Sequence, residues 1–187
     1  MSTESTEVQV SPGAEADLGA LTDLYNHYVR ETPITFDTAV FTPEKRRPWL
    51  LSHLKDARHP LLVAREGSSG RILGYATASP LRPKAAYGTS VETTVYCAPD
   101  AAGRGVGTLL YEALFAALAD QDVHRAYAGI TQPNEASTRL HARFGFRLIG
   151  TYGEVGRKFG RYWDVTWYQK DLGPALGRTD ETDYDRD

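Results

Sequence analysis

Cysteine is almost missing from this sequence: Cys97 stands alone among 187 residues, which rules out an intrachain disulfide and fits a reducing compartment. Metal-ligand spacing is missing as well. The five histidines, at 27, 53, 59, 124 and 141, are scattered, form no HExxH pair and have no second thiol beside them, so no metal is expected. The longest apolar run, residues 113–119, falls far short of the ~20 residues of a membrane-spanning helix, and the first residues lack the basic-then-apolar pattern of a secretion signal. A cytoplasmic protein with no membrane partner is the expectation. No sign of charge dominates: the net charge is −3, so nothing in the balance favours nucleic acid. With 41% hydrophobic and 24% charged residues the chain can build a core, and neither a linker nor an internal repeat divides it.

Residues 1–10 are polar and 173–187 are rich in Gly, Pro and acids, so both read as disordered tails around one domain, 11–172. Leu18, Leu21, Leu24, Tyr25 and Tyr28 recur at helical spacing and predict a helix over 15–30. A loop over 31–40 leads to Thr42, Pro43 and Glu44, which read as N-cap, first residue and first-turn acid of a second helix, bent by Pro48. Residues 61–65 and 72–79 predict a hairpin, and the β-branched, aromatic segment 89–97 a third strand. A long helix over 105–120 follows, with Leu109, Leu110, Leu114, Ala117 and Leu118 as its buried stripe. Residues 126–130 (strand), 134–144 (helix), 146–152 and 163–170 (strands) complete the order α, α, β-β-β-α-β-α-β-β.

Between the third strand and the long helix lie Gly103, Arg104, Gly105, Val106, Gly107 and Thr108. A strand that runs through glycines into a helix offers backbone N–H groups at the positive end of a helix dipole, which suits a phosphate. The spacing GxGxG fails the dinucleotide fingerprint GxGxxG, and no Lys-Ser or Lys-Thr follows to make a triphosphate loop. By itself the turn is equally readable as a tight connection.

The run VETTVYCAPDAAGRGVGTLLYEAL, followed by PNEASTRLHARFGF, resembles the GCN5-related N-acetyltransferase (GNAT) superfamily. Within it the chain is similar, over roughly residues 8–172, to the phosphinothricin acetyltransferases and their methionine sulfoximine/sulfone relatives. YNHYV (25–29), TFDT (35–38), VETTVY (91–96), STRLHARFGF (137–146) and VGRKFGRYWDVTWYQKDL (155–172) carry the likeness. The resemblance implies an α/β (α+β) GNAT fold, a central mixed, mostly antiparallel sheet flanked by helices, and a homodimer with active sites near the subunit junction. It implies acetyl-CoA as cosubstrate, with its pyrophosphate on Gly103–Thr108 and its pantetheine arm against Val95, Tyr96, Cys97, Asn134 and Ser137. Glu92 falls on the proposed general base and His141 on a helical histidine beside the thioester. Phe36 falls in the loop lining the acceptor pocket, and Arg82, Lys84 and Tyr87 in the substrate loop. Ala102 departs from the Gln or Arg usual at the start of the turn, which removes a side-chain contact but no backbone donor.

The implied reaction is direct attack of a small amino-acid-like amine on the thioester, with a carbonyl oxygen polarised by a strand N–H such as that of Val95. A carboxylate with a reference pKa near ~4.3 is a weak base for an ammonium group, so Glu92 acts through a water relay or with a pKa raised by burial. Plainer readings stand beside these: Glu92 as a solvated strand-end charge, His141 as a packing residue next to Leu140 and Phe144, Arg82 and Lys84 as loop cations, Cys97 as a small buried residue. Other acceptors remain open, among them a protein N-terminus, a polyamine or an aminoglycoside, as does a non-catalytic acetyl-CoA sensor. The basic loop 81–87 argues against cationic acceptors.

Overall fold

In a computed structural model of the chain, residues 7–67 and 69–173 are described. Seven strands, β1 (Val8–Pro12), β2 (Leu61–Glu66), β3 (Ile72–Pro80), β4 (Ser90–Cys97), β5 (Arg125–Thr131), β6 (Arg147–Lys158) and β7 (Arg161–Asp171), pair in the order β1-β2-β3-β4-β5-β7-β6. Only β4 and β5 run parallel; the other neighbours are antiparallel, so the sheet is mixed as expected. Four helices flank it: α1 (Leu18–Glu31), α2 (Pro43–His53), α3 (Val106–Leu118) and α4 (Glu135–Arg143).

Period-two alternation in the strands feeds two cores, one on each face of the sheet. Leu61, Val63 and Tyr75 turn to α1 and α2, where they meet Leu21 and Leu50. Leu62, Ala64, Leu73 and Ala76 turn the other way and pack under Leu110, Tyr111, Leu114 and Leu118 of α3. Thr42 caps α2 by accepting the Lys45 N–H at 3.4 Å, with Pro43 in the first turn, so the chemistry read from those residues holds.

Three expectations are corrected. Val8 and Val10, placed in a tail, belong to an edge strand: β1 pairs with β2 from Val8↔Glu66 to Pro12↔Leu62, a partner distant in the chain that short-range patterning cannot reveal. Of the expected tails, residues 1–6 and 174–187 lie outside the described residues. The stripe of α3 is Val106, Leu110, Tyr111, Leu114 and Leu118, while Leu109 and Ala117 face outward. A helix apolar almost all round does not select its own buried face; the sheet does. The sixth strand also runs on to Lys158, past a bulge between Tyr152 and Gly156, and turns tightly at Phe159-Gly160. At the bulge Glu154 has φ 52° and its N–H donates to Asp164 Oδ1 at 2.7 Å.

Candidate active site

The parallel pairing of β4 with β5 covers only Ser90↔Arg125, Val91↔Ala126 and Glu92↔Tyr127. Beyond Glu92 the two strands part, and the backbone of Thr93 to Tyr96 faces that of Ala128 to Thr131 across a cleft. A sheet split in this way leaves main-chain donors and acceptors open to an extended ligand, as at a strand edge.

One end of the cleft opens into a groove of about 590 Å³ between the glycine turn and α4. Val95, Cys97, Gly103, Gly105, Val106, Gly107, Thr108, Asn134 and Ser137 all line it. Gly103 (φ 77°) and Gly105 (φ 74°) adopt the left-handed conformation that side chains resist, and nothing lies within 4 Å of where their Cβ atoms would be. The N–H groups of Gly103, Gly105, Val106, Gly107 and Thr108 donate to no group among the described residues. Five unspent donors thus gather at the start of a 13-residue helix, where the positive end of the helix dipole favours an anion. Asn134 caps α4 by accepting the Ser137 N–H at 3.1 Å. Tyr28, read from the sequence only as part of the spaced face of α1, lines the groove and donates to the Cys97 carbonyl at 2.5 Å. Burial pushes the Cys97 thiol up to about 11, which keeps it protonated and unreactive at neutral pH.

The other end opens into a cavity of about 340 Å³ holding Glu92 and Phe36, walled by Thr94, Tyr152, Val165 and Trp167. Burial raises the Glu92 carboxyl above the usual carboxylate range, and the Arg82 charge opposes that rise. Phe36 sits there because Gly156 of β6 has no side chain: a Cβ at that position would overlap the ring. The loop is further fixed by Lys158, whose Nζ donates to the Thr35 carbonyl at 2.7 Å, and by the Tyr25 hydroxyl against Thr35 Oγ1 at 2.7 Å. None of these supports was legible in the sequence, because each joins segments far apart in the chain. The Trp167 Nε1 hydrogen, buried in the wall, has no partner among the described residues.

The same groove, cleft and cavity can be set beside known proteins. An acetyltransferase (GNAT) family model matches residues 21–146. The chain belongs to the GNAT acetyltransferase family. It is 71% identical over 168 residues to the phosphinothricin N-acetyltransferase of Streptomyces coelicolor, covering 90% of this chain and 98% of that protein. It is 35% identical over 160 residues to the L-methionine sulfoximine/L-methionine sulfone acetyltransferase of Pseudomonas aeruginosa, covering 86% of this chain and 92% of that one. Among solved structures, a GNAT phosphinothricin acetyltransferase from Sinorhizobium meliloti in complex with acetyl-CoA superposes with a TM-score of 0.84 at 28% identity, covering 89% of each chain.

The GNAT frame also shows which expected residues the fold does not bring together. Arg104 leaves the groove and pairs with Glu66 Oε1 at 3.3 Å. The Tyr96 side chain packs against Tyr25, Tyr28 and Tyr75, and Tyr96 lines the cleft and the Glu92 cavity, not the groove. Lys84 and Tyr87 are exposed on a short turn outside the walls of the Glu92 cavity; Arg82 is exposed too, yet close enough to act on the Glu92 charge. His141 lines the cleft but is only 3% exposed, and both ring nitrogens are taken. The Ser137 carbonyl, 2.7 Å from Nδ1, can only accept, so Nδ1 carries the hydrogen and Nε2 accepts from the Tyr111 hydroxyl at 2.8 Å. Burial lowers its pKa, so the ring is neutral near pH 7 and has no free N–H to give. Arg139 and Arg143 of α4, which the sequence analysis does not single out, line the groove instead.

Proposed function

We propose that the protein transfers the acetyl group of acetyl-CoA to the amino group of a small amino-acid-like acceptor of the phosphinothricin or methionine sulfoximine/sulfone kind. The observation that carries this reading is the continuity of the phosphate cradle, the split between β4 and β5, and the Glu92 cavity. Acetyl-CoA supplies an activated acetyl thioester. The open N–H groups of Gly103 and of Gly105 to Thr108 bind its pyrophosphate, and the edge of β4 from Val95 to Cys97 holds the pantetheine arm extended, with Asn134 and Ser137 opposite. The Val95 N–H polarises the thioester carbonyl. Glu92, with its raised pKa, takes a proton from the acceptor through water, and attack occurs directly in the ternary complex. His141 ties α4 to Tyr111 of α3, and the thiolate takes its proton from water in the open groove. Arg82 meets the acceptor carboxylate at the rim.

The same reading includes a metal-free enzyme acting in the cytoplasm, with detoxification as its use. It also includes a homodimer, which the exposed Leu148, Ile149 and Tyr152 of the edge strand β6 support, at 65%, 51% and 56% exposure. The test is acetyl-CoA consumption against phosphinothricin, methionine sulfoximine, methionine sulfone, a polyamine and an aminoglycoside, in excess chelator. Turnover of the first three alone is expected. Preference for a polyamine or an aminoglycoside, or loss of activity on chelation, overturns the corresponding part.

A further inference from the structure

The loop that presents Phe36 to the acceptor cavity has a second cavity behind it. Thr38 and Val40 of that loop, Arg30 from the last turn of α1, and Arg157, Lys158 and Phe159 from the end of β6 enclose about 420 Å³. Three of these six are cations and no carboxylate lines the space. Neither Arg30 nor Arg157 forms an ion pair among the described residues, and both are exposed at the mouth. Lys158 is at the floor, only 5% exposed. Its backbone carbonyl accepts the Trp163 Nε1 hydrogen at 2.9 Å, and its ammonium spends one of three donors on the Thr35 carbonyl. Burial works against its charge, and the Asp37 carboxylate only partly offsets this. Like charges gathered in a concavity focus a positive potential and lack their counter-charge.

A separate observation concerns the rim. Phe159 has φ 53° and Gly160 φ 73°, the two positive values of a tight hairpin turn whose first central position ordinarily goes to Asn, Asp or Gly. Here the position carries a phenylalanine that is 56% exposed, with its ring centroid 5.2 Å from Lys158 Nζ. A large apolar side chain held in the left-handed region at the edge of a basic cavity suits ligand contact better than turn formation.

We propose that this cavity is a second binding site for a small polyanion, of phosphate or paired-carboxylate chemistry, and that its occupation firms the acceptor loop through the Lys158 to Thr35 hydrogen bond. Arg30 and Arg157 clamp the anion from the mouth, Lys158 meets it at the floor, and Phe159 shields these charges from water. The ammonium is then shared between the anion and the Thr35 carbonyl, next to Phe36. Occupation lowers the KM for the acceptor and leaves kcat unchanged, since the reacting groups are untouched. Anion binding stands apart from the acetyltransfer reading; only the effect on KM rests on it.

Calorimetric titration with inorganic phosphate, and separately with malonate, tests the site at constant ionic strength set with sodium chloride. Protein saturated with coenzyme A keeps the glycine turn occupied, so that phosphate reports the second site alone. The expected result is one anion bound per chain, weakened at least tenfold in the Arg30→Gln/Arg157→Gln double variant. The acceptor KM of the wild type should fall on adding phosphate, while that of the double variant stays constant at equal kcat. Equal binding to both proteins, or none to the wild type, overturns the site. Binding without any change in KM overturns the coupling. Conversion of a dimer to a monomer by the double substitution, read by sedimentation, shows that partner carboxylates fill the cavity and overturns the small-anion proposal.

Discussion

At the scale of single residues, the outcome turns on whether one carboxylate can accept a proton near neutral pH. Glu92 is sheltered in the cavity proposed for the acceptor, and burial moves its pKa toward that of a useful base. Glu92→Gln keeps the shape and loses the base. Its kcat should fall by ~10²- to 10⁴-fold, with the KM for acetyl-CoA little changed and partial rescue at high pH, where more of the acceptor is already neutral. In the wild type the acidic limb of kcat/KM should lie above the ~4.3 of an ordinary glutamate, since activity is lost as pH falls through a raised pKa. Steady-state kinetics across pH checks both statements, and wild-type turnover by the variant at every pH would reduce Glu92 to a strand-end charge. His141 shows what residue identity leaves undecided. Its helical spacing and chemistry were visible in the sequence, but its tautomer was set by the Ser137 carbonyl and by Tyr111, which is 30 residues away.

At the scale of elements, the turn between β4 and α3 is the part whose sequence and geometry agree most closely. Glycine at 105 provides both the left-handed N-cap of α3 and the open space that the proposed phosphate site requires. Gly105→Val should therefore have two separable effects. Strain at φ 74° should cost about 1–2 kcal/mol of stability, seen in the melting curve, because a side chain there meets the following carbonyl. Acetyl-CoA affinity should fall further than that strain requires, because the side chain blocks approach to the open N–H groups. Titration calorimetry beside thermal melting distinguishes the two; unchanged affinity would remove the pyrophosphate from this turn. Helix α3 makes the contrasting case. Its apolar run announced a buried helix, yet the face that is buried follows from how the sheet receives it.

At the scale of the whole molecule, two buried histidines make the fold sensitive to acid. Desolvation is the first cause of the lowered pKa of both His53, the last residue of α2, and His141. A lowered folded-state pKa means that the unfolded chain binds protons first, so the stability they contribute is complete above about 6.5 and is lost as pH falls below it. Glu92, raised rather than lowered, has the opposite sign and does not add to the loss. Melting temperature should drop between pH 7 and 5.5, with a slope of up to about 1.4 kcal/mol per pH unit for each histidine. A His53→Gln/His141→Gln double variant should show a flatter profile whatever its absolute stability. An equally steep profile in that variant would assign acid sensitivity to other groups.

The sequence by itself determined what depends on neighbours along the chain. The cap of α2, the glycine turn, the hairpin of β2 with β3 and most element bounds follow from local propensity and spacing within a few residues. The strand order, the split beyond Glu92 and the pairing of Val8 with Glu66 were decided by tertiary structure. So were the seat of Phe36 on Gly156, the tie from Lys158 to Thr35 and the departure of Arg104 to Glu66. Each of these is a contact between segments that are distant in sequence. Which distant groups meet is settled by how all the apolar faces can be buried at once, a condition that no single stretch of the chain contains.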